Sequence, residues 1–347
     1  MKRELSRYVR ENILSLAPYS TARDEYKGKL GVFLDANENP YDNGINRYPS
    51  TTEKETLREM VASIKKVSVD KLFLGNGSDE AIDLCYRVFC KPSKSNSVMI
   101  APSYGMYEVC AQINDVEIRK IMLTDEFEID TEAILAATDE NTRLIFICSP
   151  NNPTGNAFPL GEIEKVVESF DGIVVVDEAY IDFSSQGSAV SLQEKHNNLI
   201  VLQTLSKAYG MAGLRIGLAI ADPYIISIFK QVKYPYNIGS DTIRLAVDLL
   251  QFDRDGEIEE IIEQRDKLIK ELEQLQCIKR VYPSDANFLL AKTDNAKALY
   301  DHLITKELIV RDRSKTPLCQ ECLRITIGTP EENEQLIEEI IAYESSR

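Results

Sequence analysis

Short, nearly uninterrupted apolar runs recur through the middle of the chain, separated by stretches in which apolar residues return every three or four positions. KLFLG (71–75), SVMIA (97–101), RLIFICS (143–149), GIVVVDEA (172–179), LIVLQTLS (199–206) and RIGLAIA (215–221) read as strands. Between them, SDEAIDLCYRVFC (78–90) and LGEIEKVVESF (160–170) carry the period of amphipathic helices. A strand without a polar face must be covered on both sides, and alternation with helices supplies that cover. The pattern therefore predicts an α/β fold around a mostly parallel sheet. Ligands of such sheets bind at the carboxyl ends of the strands.

The texture changes near residue 238. A long charged helix, GEIEEIIEQRDKLIKELEQLQ (256–276), precedes two more strand candidates, NFLLAK (287–292) and LRITIG (323–328). This predicts a smaller α+β domain over 239–347, after a large domain over 41–238. Residues 1–40 have no place in the parallel sheet and are expected to form an arm that packs with the small domain.

Composition narrows the function classes. The 347 residues hold 56 acidic against 40 basic side chains, a net charge of −16, which argues against a nucleic-acid surface. No apolar run approaches the roughly 20 residues that span a bilayer, and the basic N-terminus lacks an apolar signal core. Seven scattered cysteines suit a reducing compartment, so a cytoplasmic protein is expected. Cys319 and Cys322 form a lone C-x-x-C, and with only two histidines in the chain no metal site is expected. The same scarcity argues against a Ser-His or Cys-His hydrolase.

Four stretches at predicted strand ends carry chemistry. GNGSDEAID (75–83) opens a helix, where Ser78 is either an ordinary cap or part of an anion cradle formed with the free N–H groups. SPNNPTGN (149–156) is a turn whose amides could also face a ligand. In VVVDEAYIDF (174–183) Asp177 leaves an apolar strand, where a carboxylate needs a partner: a helix end or a cationic ring nitrogen. Tyr180, three residues on, can address the same ligand. Finally, TLSKAYGMAGLRIG (204–217) sets the hydroxyls of Thr204 and Ser206, the amine of Lys207 and the guanidinium of Arg215 around small residues. Together they make one site.

These motifs, with LDANENPYD (34–42), RYPS (47–50), APSYGMY (101–107), RDRSKTPL (311–318) and CLRITIGTPEEN (322–333), resemble the fold-type I pyridoxal-phosphate aminotransferases over nearly the whole length, and within them the histidinol-phosphate branch. The resemblance implies a seven-stranded large-domain sheet and pyridoxal 5'-phosphate as cofactor. It implies ping-pong transfer of an amino group from L-histidinol phosphate to 2-oxoglutarate, giving imidazole acetol phosphate and glutamate, a step of histidine biosynthesis. By the same resemblance Lys207 would carry the cofactor as a Schiff base and move the proton, Asp177 would pair with the ring nitrogen, and Tyr180 and Asn152 would bond the ring oxygen. Tyr104 would stack on the ring. Ser78, Asp79, Thr204, Ser206 and Arg215 would hold the phosphate, with Tyr48 contributed across a homodimer interface. Arg324 and Arg311 would bind the anionic end of the substrate, and Tyr19, Asn37 and Asn287 are further substrate-side expectations.

Aromatic-amino-acid aminotransferases and threonine-phosphate decarboxylases share the superfamily motifs. The DANENP and RITIGTPEEN stretches favour the histidinol-phosphate branch. A non-catalytic pyridoxal-phosphate module of the kind joined to DNA-binding domains is disfavoured, because the chain has neither room for such a domain nor a basic face.

Overall fold

The computed structural model describes residues 2–347 except 18, 20, 22, 24, 25 and 27–30. Seven strands form the main sheet: β1 (Leu72–Asn76), β2 (Asn96–Ala101), β3 (Glu117–Met122), β4 (Thr142–Cys148), β5 (Ile173–Asp177), β6 (Leu199–Thr204) and β7 (Ile216–Ile220). Their order is β1-β7-β6-β5-β4-β2-β3. Strands β3, β2, β4, β5 and β6 run parallel, and β7 is antiparallel to both β6 and β1.

Side chains of a strand alternate between faces, and here both faces are buried. Ile145, Ile147, Val174, Val176 and Val201 belong to one apolar cluster, while Leu144, Phe146, Val175, Ile200 and Leu202 belong to the other. Full burial of each such side chain contributes about 1.5–3 kcal/mol, so the centre of the sheet is a rigid platform. Strand β3 escapes the hydrophobic pattern because it is an edge strand. In its sequence EIRKIM the charged side chains of Glu117 and Lys120 are exposed.

Helix starts follow local rules. Ser50 and Glu53 make a capping box on the Thr51–Ile64 helix, and Thr329 and Glu332 make another on Pro330–Ser345, which also begins with proline. The Ser78–Phe89 helix differs from expectation. Gly77 (φ 73°) takes the N-cap position with no side-chain cap, and Ser78 is the first helical residue. A glycine is required at that positive φ, and a Cβ on it would also run into the Arg215 guanidinium.

A second sheet, entirely antiparallel, has the order β10-β11-β9-β8, with β8 at Ile278–Val281, β9 at Phe288–Thr293, β10 at Arg311–Asp312 and β11 at Cys322–Thr326. It packs against Leu268 and Leu272 of the long helix Asp255–Leu272, and against Leu299, Leu303, Leu336 and Ile340 of the two helices that follow. None of the described helices is long and apolar enough to cross a membrane.

The start of the arm does not pack with this smaller unit. Leu5, Tyr8, Val9 and Ile13 are buried among Ile82, Tyr86, Phe89 and Phe229 of the large domain. Arg3 is anchored to Asn197 and to the backbone at Phe170 and Glu168, and Arg10 bonds the Arg87 carbonyl. Four apolar residues need a buried face, and the helices flanking the large sheet supply it.

Candidate active site

A cavity of about 680 Å3 opens at the carboxyl ends of β4, β5 and β6 and is bounded on its far side by β10 and β11. Of the sequence-predicted residues, Ser78, Asp79, Tyr104, Asn152, Asp177, Tyr180, Thr204, Ser206, Lys207, Arg215, Arg311 and Arg324 all line it. Residues drawn from positions 78 to 324 thus converge from strand ends and helix starts of the main sheet and from the strand pair β10 and β11.

Asp177, the last residue of β5, forms the floor. It is 2 % exposed, and a carboxylate at such depth needs compensation. The hydroxyl of fully buried Tyr107 donates to Oδ2 at 2.7 Å, and the Ala179 N–H donates to Oδ1 at 3.2 Å. Burial raises the carboxyl to about 6, against the lowering effect of those two donors; Asp79 adds to the rise and Lys207 opposes it. No cation forms an ion pair with Asp177 among the described residues, so the floor has capacity for one. Tyr107 is itself held by stacking on Phe146, with centroids 4.8 Å apart.

One wall is the junction of β7 with the Ser78–Phe89 helix. Arg215 adopts left-handed backbone (φ 55°, ψ 47°), and its carbonyl accepts the Gly77 N–H at 2.6 Å. Its guanidinium lies 3.5 Å from Asp79, whose other oxygen accepts the Tyr104 hydroxyl at 3.1 Å. A Cβ at Gly217 would fall on the Ser78 amide, so strand and helix start approach as only glycine allows. The Thr204 hydroxyl bonds the Ile216 carbonyl at 3.1 Å and accepts the Ser206 N–H at 3.1 Å. Free first-turn amides, two hydroxyls and a guanidinium are the donor set of a phosphate cradle.

Lys207 faces the cavity, with Nζ 5.8 Å from the Tyr180 ring centroid. Burial, followed by Arg324 and Arg215, lowers its pKa, while Asp79 and Asp177 act in the opposite sense. A relay crosses to the other wall: the Asn152 amide donates to the Tyr180 hydroxyl at 3.3 Å, and Arg324 donates to Asn152 Oδ1 at 2.6 Å. Burial keeps Tyr180 protonated by raising its pKa well above the ordinary value.

Arg324 of β11 stands directly opposite Arg311 of β10, and Arg313 lines the same cavity. Like charges across a strand pair repel. None of the three forms an ion pair with a carboxylate among the described residues.

Four predicted residues are not among the described residues lining this cavity. Tyr48 stacks on Tyr236 at the surface, with centroids 4.1 Å apart. Tyr19 is exposed beside Lys54, Arg58 and Lys230 at a different depression. Asn37 is exposed next to Glu38, which bridges Arg23 and Arg47. Asn287 precedes β9 and accepts the Ile327 N–H. Conversely, Tyr107, Cys148 and Arg313 went unselected by sequence reasoning. Tyr107 lies within APSYGMY and Arg313 within RDRSKTPL, so the stretches drew notice but the individual side chains carried no separate signal.

The residues present fit pyridoxal phosphate on three counts. A deep carboxylate without a cationic partner suits a protonated pyridine nitrogen, the cradle suits a phosphate, and Lys207 lies between them. The family model for aminotransferase class I and II matches residues 25–340. The chain is 49% identical over 343 residues to the histidinol-phosphate aminotransferase of Bacteroides thetaiotaomicron, covering 98% of this chain and 99% of that one. It is 49% identical over 337 residues to that of Parabacteroides distasonis, covering 96% and 97%. Among solved structures, the histidinol-phosphate aminotransferase from Clostridium acetobutylicum superposes with a TM-score of 0.78 at 26% identity, covering 87% of this chain and 92% of that one. The chain therefore belongs to the class I and II aminotransferases and is a pyridoxal-phosphate-dependent enzyme of that family.

Proposed function

We propose that the protein transfers the amino group of L-histidinol phosphate to 2-oxoglutarate, forming imidazole acetol phosphate and glutamate in a ping-pong cycle. The observation that carries this reading is the group of arginines at β10 and β11, facing the Lys207 amine with no carboxylate among the described residues to neutralise them. Such a site suits a substrate that carries both an amine and a dianionic phosphate ester. The curated relatives are named for that activity.

Ser78 and Asp79 amides, Thr204, Ser206 and Arg215 hold the cofactor phosphate, and Asp177 keeps the proton on its ring nitrogen. Asn152 and Tyr180 would bond the ring oxygen, and Tyr104 would cover a ring face. Pyridoxal phosphate, when bound, supplies an electron sink for the pair released at the substrate α-carbon. Lys207 Nζ, biased toward its neutral form by burial and by two arginines, takes the α-proton and later returns it. Arg324 and Arg311 hold the substrate phosphate in one half-reaction and a carboxylate of glutamate in the other. A guanidinium fork matches both groups.

The active unit in this reading is a homodimer, with the partner subunit's Tyr48 reaching toward the cofactor phosphate. Its support is a surface joined by the Arg244–Gly44 and Ser240–Arg47 bonds, which leaves Tyr41, Ile45, Tyr48, Tyr234 and Leu245 exposed. We place the enzyme in the reducing cytoplasm, which suits seven buried free cysteines.

The test is one half-reaction followed by absorbance. Cofactor-loaded protein is mixed separately with histidinol phosphate, phenylalanine and threonine phosphate, without an oxo acid. Fast conversion to the pyridoxamine spectrum with histidinol phosphate is the expected result. Conversion by phenylalanine alone would reassign the substrate while leaving the chemistry intact.

A further inference from the structure

The two arginines assigned to the substrate anion have a third beside them. Arg313 follows Arg311 by two residues, and its N–H continues the strand ladder by donating to the Cys322 carbonyl at 2.9 Å. Residues i and i+2 of a strand share a face, and Arg324 is the cross-strand partner of Arg311. Three guanidinium groups therefore occupy one face of one strand pair and open into one cavity. The Arg313 side chain is half-buried, and its Nε is shut off from solvent without an acceptor among the described residues. No carboxylate pairs with it there. Burial, Arg324 and Arg311, in that order, lower its pKa, so its charge is held against opposition.

The charge count around the cavity sharpens the point. Among the described residues its lining holds four guanidinium groups (Arg215, Arg311, Arg313 and Arg324) and the Lys207 amine against two carboxylates (Asp79 and Asp177). Arg215 is matched to Asp79 and belongs to the cradle. At the far end, two forks already suffice for a carboxylate, which carries one charge on two oxygens. A phosphate ester carries close to two charges on three free oxygens. A third fork is surplus for the first group and suited to the second.

We propose that Arg313 is the residue that discriminates a phosphate ester from a carboxylate at the arginine-lined end of the cavity. This rests on the transaminase reading above. Arg313→Gln is expected to raise KM for histidinol phosphate roughly ten- to hundredfold, the range of a lost charge-assisted hydrogen bond pair, while KM for glutamate changes no more than about threefold. Arg313→Lys keeps the charge but not the fork, and should recover part of the loss.

A binding measurement separates this inference from the reading beneath it. Inorganic phosphate and glutarate are titrated calorimetrically into cofactor-loaded wild type and both variants, with the cofactor absorbance confirming an intact site. Selective loss of phosphate affinity in Arg313→Gln, partly recovered in Arg313→Lys, supports the proposal whichever amine the enzyme prefers. Equal weakening of phosphate and glutarate overturns it, since Arg313 would then be a general anion ligand or a structural support. Unchanged affinities for both also overturn it. If wild type fails to convert histidinol phosphate, the substrate assignment falls, and the phosphate titration still decides the role of Arg313.

Discussion

The two ends of the cavity both present donors for anions, yet they are built differently. The cradle comes from the main sheet and the helix start packed against it: Arg215 is matched to Asp79, and glycines at 77 and 217 let backbone approach backbone. The opposite wall comes from the two-residue strand β10 and its neighbour β11, and its three arginines have no carboxylate partner among the described residues. A charge-balanced, backbone-rich site suits a group that stays. A site with surplus charge on side chains suits groups that must arrive, be exchanged for another and leave. Lys207 lies between the two and has to serve both.

That comparison can be broken most decisively at Lys207. Lys207→Ala should remove the visible absorbance of the lysine-bound cofactor and lower turnover by roughly 10⁴-fold or more. A variant that still transaminates at a tenth of the normal rate would exclude Lys207 as the base. A smaller effect is expected from the paired variants Arg215→Gln and Arg324→Gln. The first should weaken cofactor retention by about tenfold or more with little change in substrate KM at saturating cofactor. The second should raise KM for amine and oxo acid alike by a similar factor, with cofactor retention unchanged. Equilibrium dialysis and initial rates read the two separately, and the same phenotype from both would erase the distinction between the ends.

The smallest expected effect concerns the floor. Ionised Asp177 favours a cationic ring nitrogen, and in the cofactor-free protein it becomes protonated as pH falls through about 6. Tyr107 donates to the ionised form and so holds that value down. Tyr107→Phe removes the donor, raises the Asp177 pKa further, and should shift the acid-side loss of cofactor affinity to higher pH. Near pH 6 the variant should bind roughly three- to tenfold more weakly than wild type, and the gap should close toward pH 8.5. A constant gap across that range would mean that Tyr107 shapes the floor without tuning its charge.

Much of the site was legible because it lies where the sequence pattern changes abruptly. Asp177 ends a run of valines, Lys207 follows an apolar strand, and Asn152 sits in a turn directly after β4. Each is a polar residue at a place where strand burial leaves few innocent reasons for it. The identity of the cofactor was legible only through resemblance, since a carboxylate and an amine at strand ends suit several ligands. Strand β10 was not legible, because two residues carry no period, and without it the shared face of Arg311, Arg313 and Arg324 is invisible. Tyr107 was hidden for another reason: an aromatic residue on the buried face of a helix is ordinarily core, and only its hydroxyl contact to Asp177 distinguishes it. The arm shows a third kind of limit. The apolar spacing of Leu5, Tyr8, Val9 and Ile13 says that a face is buried, and nothing in that spacing names the surface that buries it.

The shortness of β10 bears on how such an enzyme can diversify. The backbone on which Arg311 and Arg313 stand is joined to the fold by few ladder bonds and continues into a loop over 314–321 before β11 begins. Substitutions there would change which molecules are accepted, while Asp177, Lys207 and the cradle stay fixed to the main sheet. On the proposed assignment, preference for a substrate and competence for the reaction are carried by separable parts of the chain, and one lineage could drift in the first without surrendering the second.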